Sequence, residues 1–196
     1  MKKLAILGST RGTDMQAIID AIEAGELDAK IEIVISNKSD AYILERAKKH
    51  DIKNIYIEKN PGESREDYDT RLISELSNYE IDLVLLIGWM RILSPVFIEK
   101  YRNKILNVHP SLLPKFAGGM DTNVHEEVLK AGETETGCTI HYVDETVDGG
   151  EILIQKKCSI EPNETPDTLK TKVQKLEGEA FVEAINTHPE EPCRAT

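Results

Sequence analysis

Asn107 and His109 stand two residues apart in Ile105-Leu106-Asn107-Val108-His109, an apolar run halted by Pro110. Strand alternation puts Ile105, Asn107 and His109 on one face and Leu106 and Val108 on the other. An amide and an imidazole together at the carboxyl end of a parallel strand, where α/β proteins bind ligands, could stabilise an oxyanion and transfer a proton. A satisfied polar cluster at a strand end accounts for the same two residues. Asp148 lies in Val147-Asp148-Gly149-Gly150, a loop from which a carboxylate could reach an imidazole, although Asp-Gly-Gly by itself is first a hairpin-turn signal. Gly8-Ser9-Thr10-Arg11-Gly12-Thr13-Asp14 separates an apolar run from a helical pattern, so its N–H groups and the helix dipole could hold an anion. It has neither GxGxxG spacing nor a Walker lysine, which argues against a dinucleotide or triphosphate. An ordinary tight turn uses glycine in the same way.

These residues need elements to position them. Lys3 to Leu7 reads as a first strand, followed by a helix with Met15, Ile18, Ile19 and Ile22 at helical spacing. Ile31 to Ile35, Ala41 to His50 and Ile55 to Ile57 continue the βαβαβ alternation. Glu66 to Leu76 is helical in pattern, and Ile81 to Ile87, the most apolar run of the chain, reads as a central parallel strand. Ser94-Pro95 starts a helix that leads to Tyr101. Residues 110–122, with two prolines and Gly118-Gly119, read as a functional loop before a helix from about Asn123 to Ala131. Thr139 to Val143 and Ile152 to Cys158 are too close for a helical crossover, so they are expected to pair antiparallel. Thr165 and Pro166 open a last helix, with Leu169, Val173, Leu176 and Ala180 on one face, ending near Asn186. The expected fold is α/β: one doubly wound, mostly parallel sheet with helices on both faces and an antiparallel strand pair in the C-terminal half. A single domain is expected over residues 1–186, with a nucleotide-binding half to about 103, a catalytic half after it, and a frayed tail at 187–196.

Composition narrows the partners. The 35 acidic and 24 basic side chains give a net charge of −11, which repels phosphate backbones and anionic bilayers. Neither nucleic acid nor membrane is expected as a partner, while a small phosphorylated substrate remains compatible with a helix N-terminus. Cys138, Cys158 and Cys193 have no CxxC spacing, so neither a disulfide framework nor a zinc site is expected, and a reducing cytoplasm suits them best. The MKKLAILG start is too short for a signal or a membrane span.

Asn107-Val108-His109-Pro110-Ser111-Leu112-Leu113-Pro114 followed by Val147-Asp148-Gly149-Gly150 resembles the folate-dependent formyltransferases. The Gly12-Thr13-Asp14 turn, Asn37-Lys38-Ser39-Asp40-Ala41, Ser64-Arg65-Glu66 and Gly88-Trp89-Met90-Arg91-Ile92-Leu93 are similar to the branch of that family that formylates glycinamide ribonucleotide in purine synthesis. The resemblance runs from the first strand through the last helix. It implies 10-formyltetrahydrofolate as co-substrate and formyl donor, glycinamide ribonucleotide as acceptor, no metal, and a monomer or homodimer. It also implies roles for single residues. Gly12, Thr13 and Asp14 match the segment that holds the ribonucleotide phosphate. Arg65, Met90, Arg91, Ile92 and Leu93, with Asn107, match folate-contacting positions. Asn107, His109 and Asp148 match the catalytic trio, and Gln174 and Glu177 match a substrate-contacting stretch of the last helix. Physically, Asp148 is expected to raise the His109 pKa and keep the imidazole charged.

The chain departs from the family's wording at Phe116-Ala117-Gly118-Gly119-Met120-Asp121 and at Arg11. His141 reads as a core or supporting histidine. His125 is expected to be exposed on its helix, and Cys138 to be a small buried hydrophobe. Trp89 and Phe116 border a pterin or serve only packing. Two alternatives stay in play: a 10-formyltetrahydrofolate deformylase, whose usual form carries an additional N-terminal regulatory domain that has no room before Lys3, and a non-catalytic nucleotide-binding module, which would need the first turn but not the trio. A transfer-RNA formyltransferase would need a basic face and an appended RNA-binding domain.

Overall fold

The computed structural model describes residues 1–119 and 122–189, apart from the side chains of 122 and 123. In chain order the elements are β1 Lys2–Gly8, α1 Thr13–Glu23, β2 Ala29–Ser36, α2 Tyr42–Lys49, β3 Asn54–Tyr56, α3 Arg65–Leu76 and β4 Leu83–Ile87. They continue with α4 Pro95–Lys100, β5 Ile105–His109, α5 Thr122–Lys130, β6 Glu135–Tyr142, β7 Ile152–Ser159 and α6 Pro166–Thr187. The seven strands form one sheet in the order β3-β2-β1-β4-β5-β6-β7. The first five are parallel, and β6 runs antiparallel to both β5 and β7. This is the doubly wound mixed sheet expected from the pattern of elements.

The central strands are covered on both faces, so their two alternating side-chain sets are both apolar. Leu4 and Ile6 of β1 and Leu83, Leu85 and Ile87 of β4 face one core with Met15, Ile18, Ile43, Val128, Val173 and Phe181. Ala5 and Leu7, with Val84 and Leu86, face the other core with Tyr68, Leu72 and Phe97. Thus α1, α2, α5 and α6 cover one face, and α3 and α4 the other. Fully burying a residue such as Leu85 contributes about 1.5–3 kcal/mol. Pairing of β4 with β5 carries the sheet without a break across positions 103 and 104.

Two expectations need correction. His125 is 1% exposed, because Val124, His125 and Val128 lie on the inward side of α5. In addition, β6 starts at Glu135, four residues before the apolar run at Thr139. Its first residues gain ladder partners on β7, with Thr136 opposite Cys158 and Cys138 opposite Lys156, which a local hydrophobic pattern does not register. The Thr165 cap is as expected: its hydroxyl accepts from Thr168 N–H, Pro166 follows, and α6 ends one residue beyond Asn186. The expected frayed tail lies, from 190 on, outside the described residues, as do Cys193 and residues 120 and 121 of the unusual loop.

Candidate active site

The chain leaves β1 toward β2 on one side and later returns to β4 on the other, so the sheet order reverses between β1 and β4. Such a switch point opens a crevice at the carboxyl ends of the strands. The loops after β1 and β4 meet there: Ser9 N–H donates to the Gly88 carbonyl at 3.2 Å and Met90 N–H to Ser9 Oγ at 3.0 Å. β5 lies beside β4, which brings the end carrying His109 to the same rim.

Strand β5 presents Asn107 and His109 on one face as alternation requires, while Leu106 and Val108 turn to the other core. Asn107 is directly opposite His141 of β6, and its amide Nδ2 is 3.1 Å from His141 Nε2. His141 Nδ1 is 2.7 Å from the carbonyl of Tyr142. Nδ1–H donates to that carbonyl, and Nε2 lies between the Asn107 amide and the Asp148 carboxylate. Asp148 completes the cluster, with Oδ2 3.2 Å from His109 Nδ1 and Oδ1 3.5 Å from His141 Nε2.

The β6–β7 loop brings Asp148 there by close backbone packing. A Cβ at Gly150 would stand 1.9 Å from the Tyr142 carbonyl oxygen, so the loop can fold back only with glycine at that position. Asp148 itself has φ of 53°, a left-handed conformation that Asp tolerates better than most residues. Its Oδ2 also accepts from Gly118 N–H at 2.8 Å, and the Phe116 carbonyl lies 2.8 Å from His109 Nε2. Phe116 and Gly118 of the loop after β5 are thus tied to the His109 and Asp148 side chains.

The electrostatics correct one expectation. His109 is 3% exposed, and burial, the first cause, draws its pKa below the ordinary 6.5. Asp148 and the Phe116 carbonyl pull it upward but do not outweigh burial. The resting imidazole is thus displaced toward the neutral form. Both ring nitrogens nevertheless face acceptors, so a proton taken up during reaction finds partners already in position. Burial raises the Asp148 pKa, but His141, Gly118 N–H and His109 together hold it below 3.8, so the carboxylate is ionised at neutral pH.

The remaining predicted residues fall around this cluster. Gly12 has φ of 67°, and a Cβ there would stand 2.5 Å from Ile43 Cγ1, so this position also needs glycine. Thr13 is exposed, whereas the Asp14 side chain turns inward and is 5% exposed. On α6, Gln174 is half-buried and Glu177 is buried. Arg65 is exposed at the start of α3, after its Ser64 cap. Met90 and Ile92 leave apolar surface open, Leu93 is buried, and Arg91 lies 4.2 Å over the Tyr68 ring. Among the described residues, Nε of Arg91 and Nε1 of Trp89 in the loop after β4 are buried without a hydrogen-bond partner.

Sequence reasoning left His141 as a supporting histidine and missed its link between Asn107 and Asp148. The strand register is the signal that finds it. The backbone groups of Phe116 and Gly118 have no sequence signature at all. Among the described residues, no group of three His, Cys, Asp or Glu side chains is placed to hold a metal ion. No helix among them is long and apolar enough to cross a membrane.

Comparison with known proteins agrees with this geometry. A family model described as formyl transferase matches residues 2–185. The chain belongs to the formyl transferase family. Phosphoribosylglycinamide formyltransferase from Haemophilus influenzae is 42% identical over 92% of this chain and 84% of its own length. A glycinamide ribonucleotide transformylase structure from Symbiobacterium toebii superposes with a TM-score of 0.90 at 34% identity, covering 94% of this chain and 86% of its own. A phosphoribosylglycinamide formyltransferase structure from Coxiella burnetii gives 0.88 at 42% identity, covering 94% and 85%. These family members are enzymes of formyl transfer, and the Asn107, His109 and Asp148 cluster lies within the matched span.

Proposed function

We infer that this protein transfers the formyl group of 10-formyltetrahydrofolate to the amine of N1-(5-phosphoribosyl)glycinamide, in purine biosynthesis. The observation that carries the reading is the buried pairing of His109 with Asp148 beside Asn107, on a chain whose relatives are named for this reaction.

The chemistry follows from the side chains. Attack of the acceptor amine on the formyl carbon forms a C–N bond and moves negative charge onto the formyl oxygen. Asn107 Nδ2–H and His109 Nε2–H are the donors for that charge once His109 leaves the Phe116 carbonyl. His109 takes up the proton that the amine loses, becoming imidazolium, and gives it to the departing folate nitrogen as the old C–N bond breaks. Asp148 faces His109 Nδ1 and stabilises the imidazolium during the exchange.

The N–H groups opening α1 at Gly12, Thr13 and Asp14 suit the substrate phosphate, and Gln174 and Glu177 of α6 suit the rest of the acceptor. Arg65 and the Met90 to Leu93 segment suit the folate, a fit supported by the partnerless Arg91 Nε and the open Met90 and Ile92 surfaces. Domain halves meeting near position 103, a monomer or homodimer, and a reducing cytoplasm that keeps Cys138 and Cys158 as free thiols complete the reading.

The test mixes protein, formyl donor and glycinamide ribonucleotide and follows the folate product with and without the acceptor. Turnover that requires the acceptor is expected. Equal turnover in its absence would assign a hydrolase, and none with either would leave a binding module.

A further inference from the structure

The Asp14 carboxyl takes no part in the mechanism above, yet it is buried at the second residue of α1, beside the turn assigned to the phosphate. Among the described residues it takes one side-chain hydrogen bond, from the neighbouring Thr13 hydroxyl at a long 3.5 Å. Among the described residues no cation is paired with it.

The helices α6 and α2 pack against α1. Gly178 lets α6 lie close on α1, since a Cβ there would stand 2.5 Å from Ala17 Cβ, and the buried Glu177 precedes it. Asp14 and Glu177 both act on the Cys138 thiol of β6, which burial first and these carboxyls next push up to about 12. Lys156 of β7 also acts on Cys138, but its ammonium is engaged by Glu183 at 2.8 Å. From α2 comes Arg46, which bonds Gln16 Oε1 at 2.5 Å and the Arg11 carbonyl at 3.3 Å.

A phosphate on the first N–H groups of α1 would share one helix end with this carboxyl. Two anions there repel each other in a poorly solvated place. We propose that Asp14 is the proton-holding member of the phosphate site: its neutral acid form admits the substrate's phosphate, and binding draws a proton onto it. The proposal rests on the assignment of the phosphate to Gly12, Thr13 and Asp14.

Burial raises the Asp14 pKa from 3.8 to about 7, with the Thr13 hydroxyl opposing, so the competent form is already populated near neutrality. The sign is fixed by linkage: a dianion beside Asp14 raises its pKa further, so protons are taken up on binding and affinity falls as pH rises. If only the neutral acid binds, the competent fraction falls about 50-fold between pH 7 and pH 9.

Ribose 5-phosphate is the probe, because it carries no amine to titrate and its phosphate is dianionic above about pH 7. Calorimetry at about pH 7 and pH 9, in buffers of different ionisation enthalpy, reads affinity and proton uptake together. The wild-type protein is expected to bind roughly tenfold or more weakly at the higher pH and to take up protons at the lower one. Asp14→Asn, which presents a neutral N–H donor, should bind with little pH dependence and no net uptake.

Wild-type binding equal at both pH values, or without proton uptake, overturns the proposal and leaves the phosphate assignment standing. So does an equal pH slope in Asp14→Asn. No shift of the Gly12 and Thr13 amide resonances with saturating ribose 5-phosphate at pH 7 would overturn both. The wild-type measurements decide even if the variant fails to fold.

Discussion

Asp148→Asn keeps the shape of a side chain while removing the charge that faces His109. The carboxylate Oδ2 lies 3.2 Å from His109 Nδ1, and the two side chains are 11% and 3% exposed. Unit charges at that separation attract by about 5 kcal/mol at an effective dielectric of about 20, and by about 1.3 kcal/mol in bulk water. The carboxylate divides its charge between two oxygens and also serves Gly118 N–H at 2.8 Å, so about 2 kcal/mol is the share that depends on the imidazole's charge. That is roughly a 30-fold change in the ratio of imidazolium to imidazole. Burial already draws His109 below 6.5, and losing Asp148 takes it lower still. Turnover at neutral pH should therefore fall about 30-fold, with the histidine-dependent limb of the pH profile moving to lower pH. NMR titration of His109 in both proteins is the direct assay. A His109 pKa that is unchanged or higher in the variant would refute the coupling even if activity were lost. Stability carries its own sign. With the folded pKa of His109 below the unfolded 6.5, the unfolded chain binds more protons in that window, so stability is lost as pH falls through it. The variant should steepen that loss in denaturant unfolding between about pH 7 and pH 5. It also forfeits the ionised Asp148's contribution, present above 3.8 and lost below it.

Four further substitutions test the rest of the site. Asn107→Ala and His109→Ala should each lower kcat by about 100–1000-fold with a much smaller effect on folding, and a folded His109→Ala enzyme with wild-type turnover would end the mechanism proposed here. Gly12→Val places a Cβ 2.5 Å from Ile43 Cγ1 at φ of 67°, so ribonucleotide affinity should drop sharply, with about 1–2 kcal/mol of backbone strain seen as a lower Tm. Folate affinity, measured by calorimetry on the same sample, should change little, and equal loss of both ligands would place the phosphate elsewhere. Gly150→Ala sets a methyl 1.9 Å from the Tyr142 carbonyl oxygen, so the loop should open and kcat fall as far as in Asp148→Asn. Retained turnover would detach the loop's fold from catalysis.

The order of elements was legible because each carries its own local signal: apolar runs at β1 and β4, helical spacing after Gly12, and the Thr165-Pro166 start of α6. Local periodicity says which residues share a face, so the side-by-side placement of Asn107 and His109 follows from the sequence alone. It does not say what lies opposite. The pairing of Asn107 with His141 depends on the register of β5 against β6, and the reach of Asp148 to His109 on how closely Gly150 packs against Tyr142. The burial of His125 depends on which side of α5 meets α6. The charge state of His109 is the sharpest case. Sequence supplies a carboxylate that favours imidazolium, while the surrounding fold removes the water that would solvate it, and only the tertiary structure decides that burial prevails in the resting site.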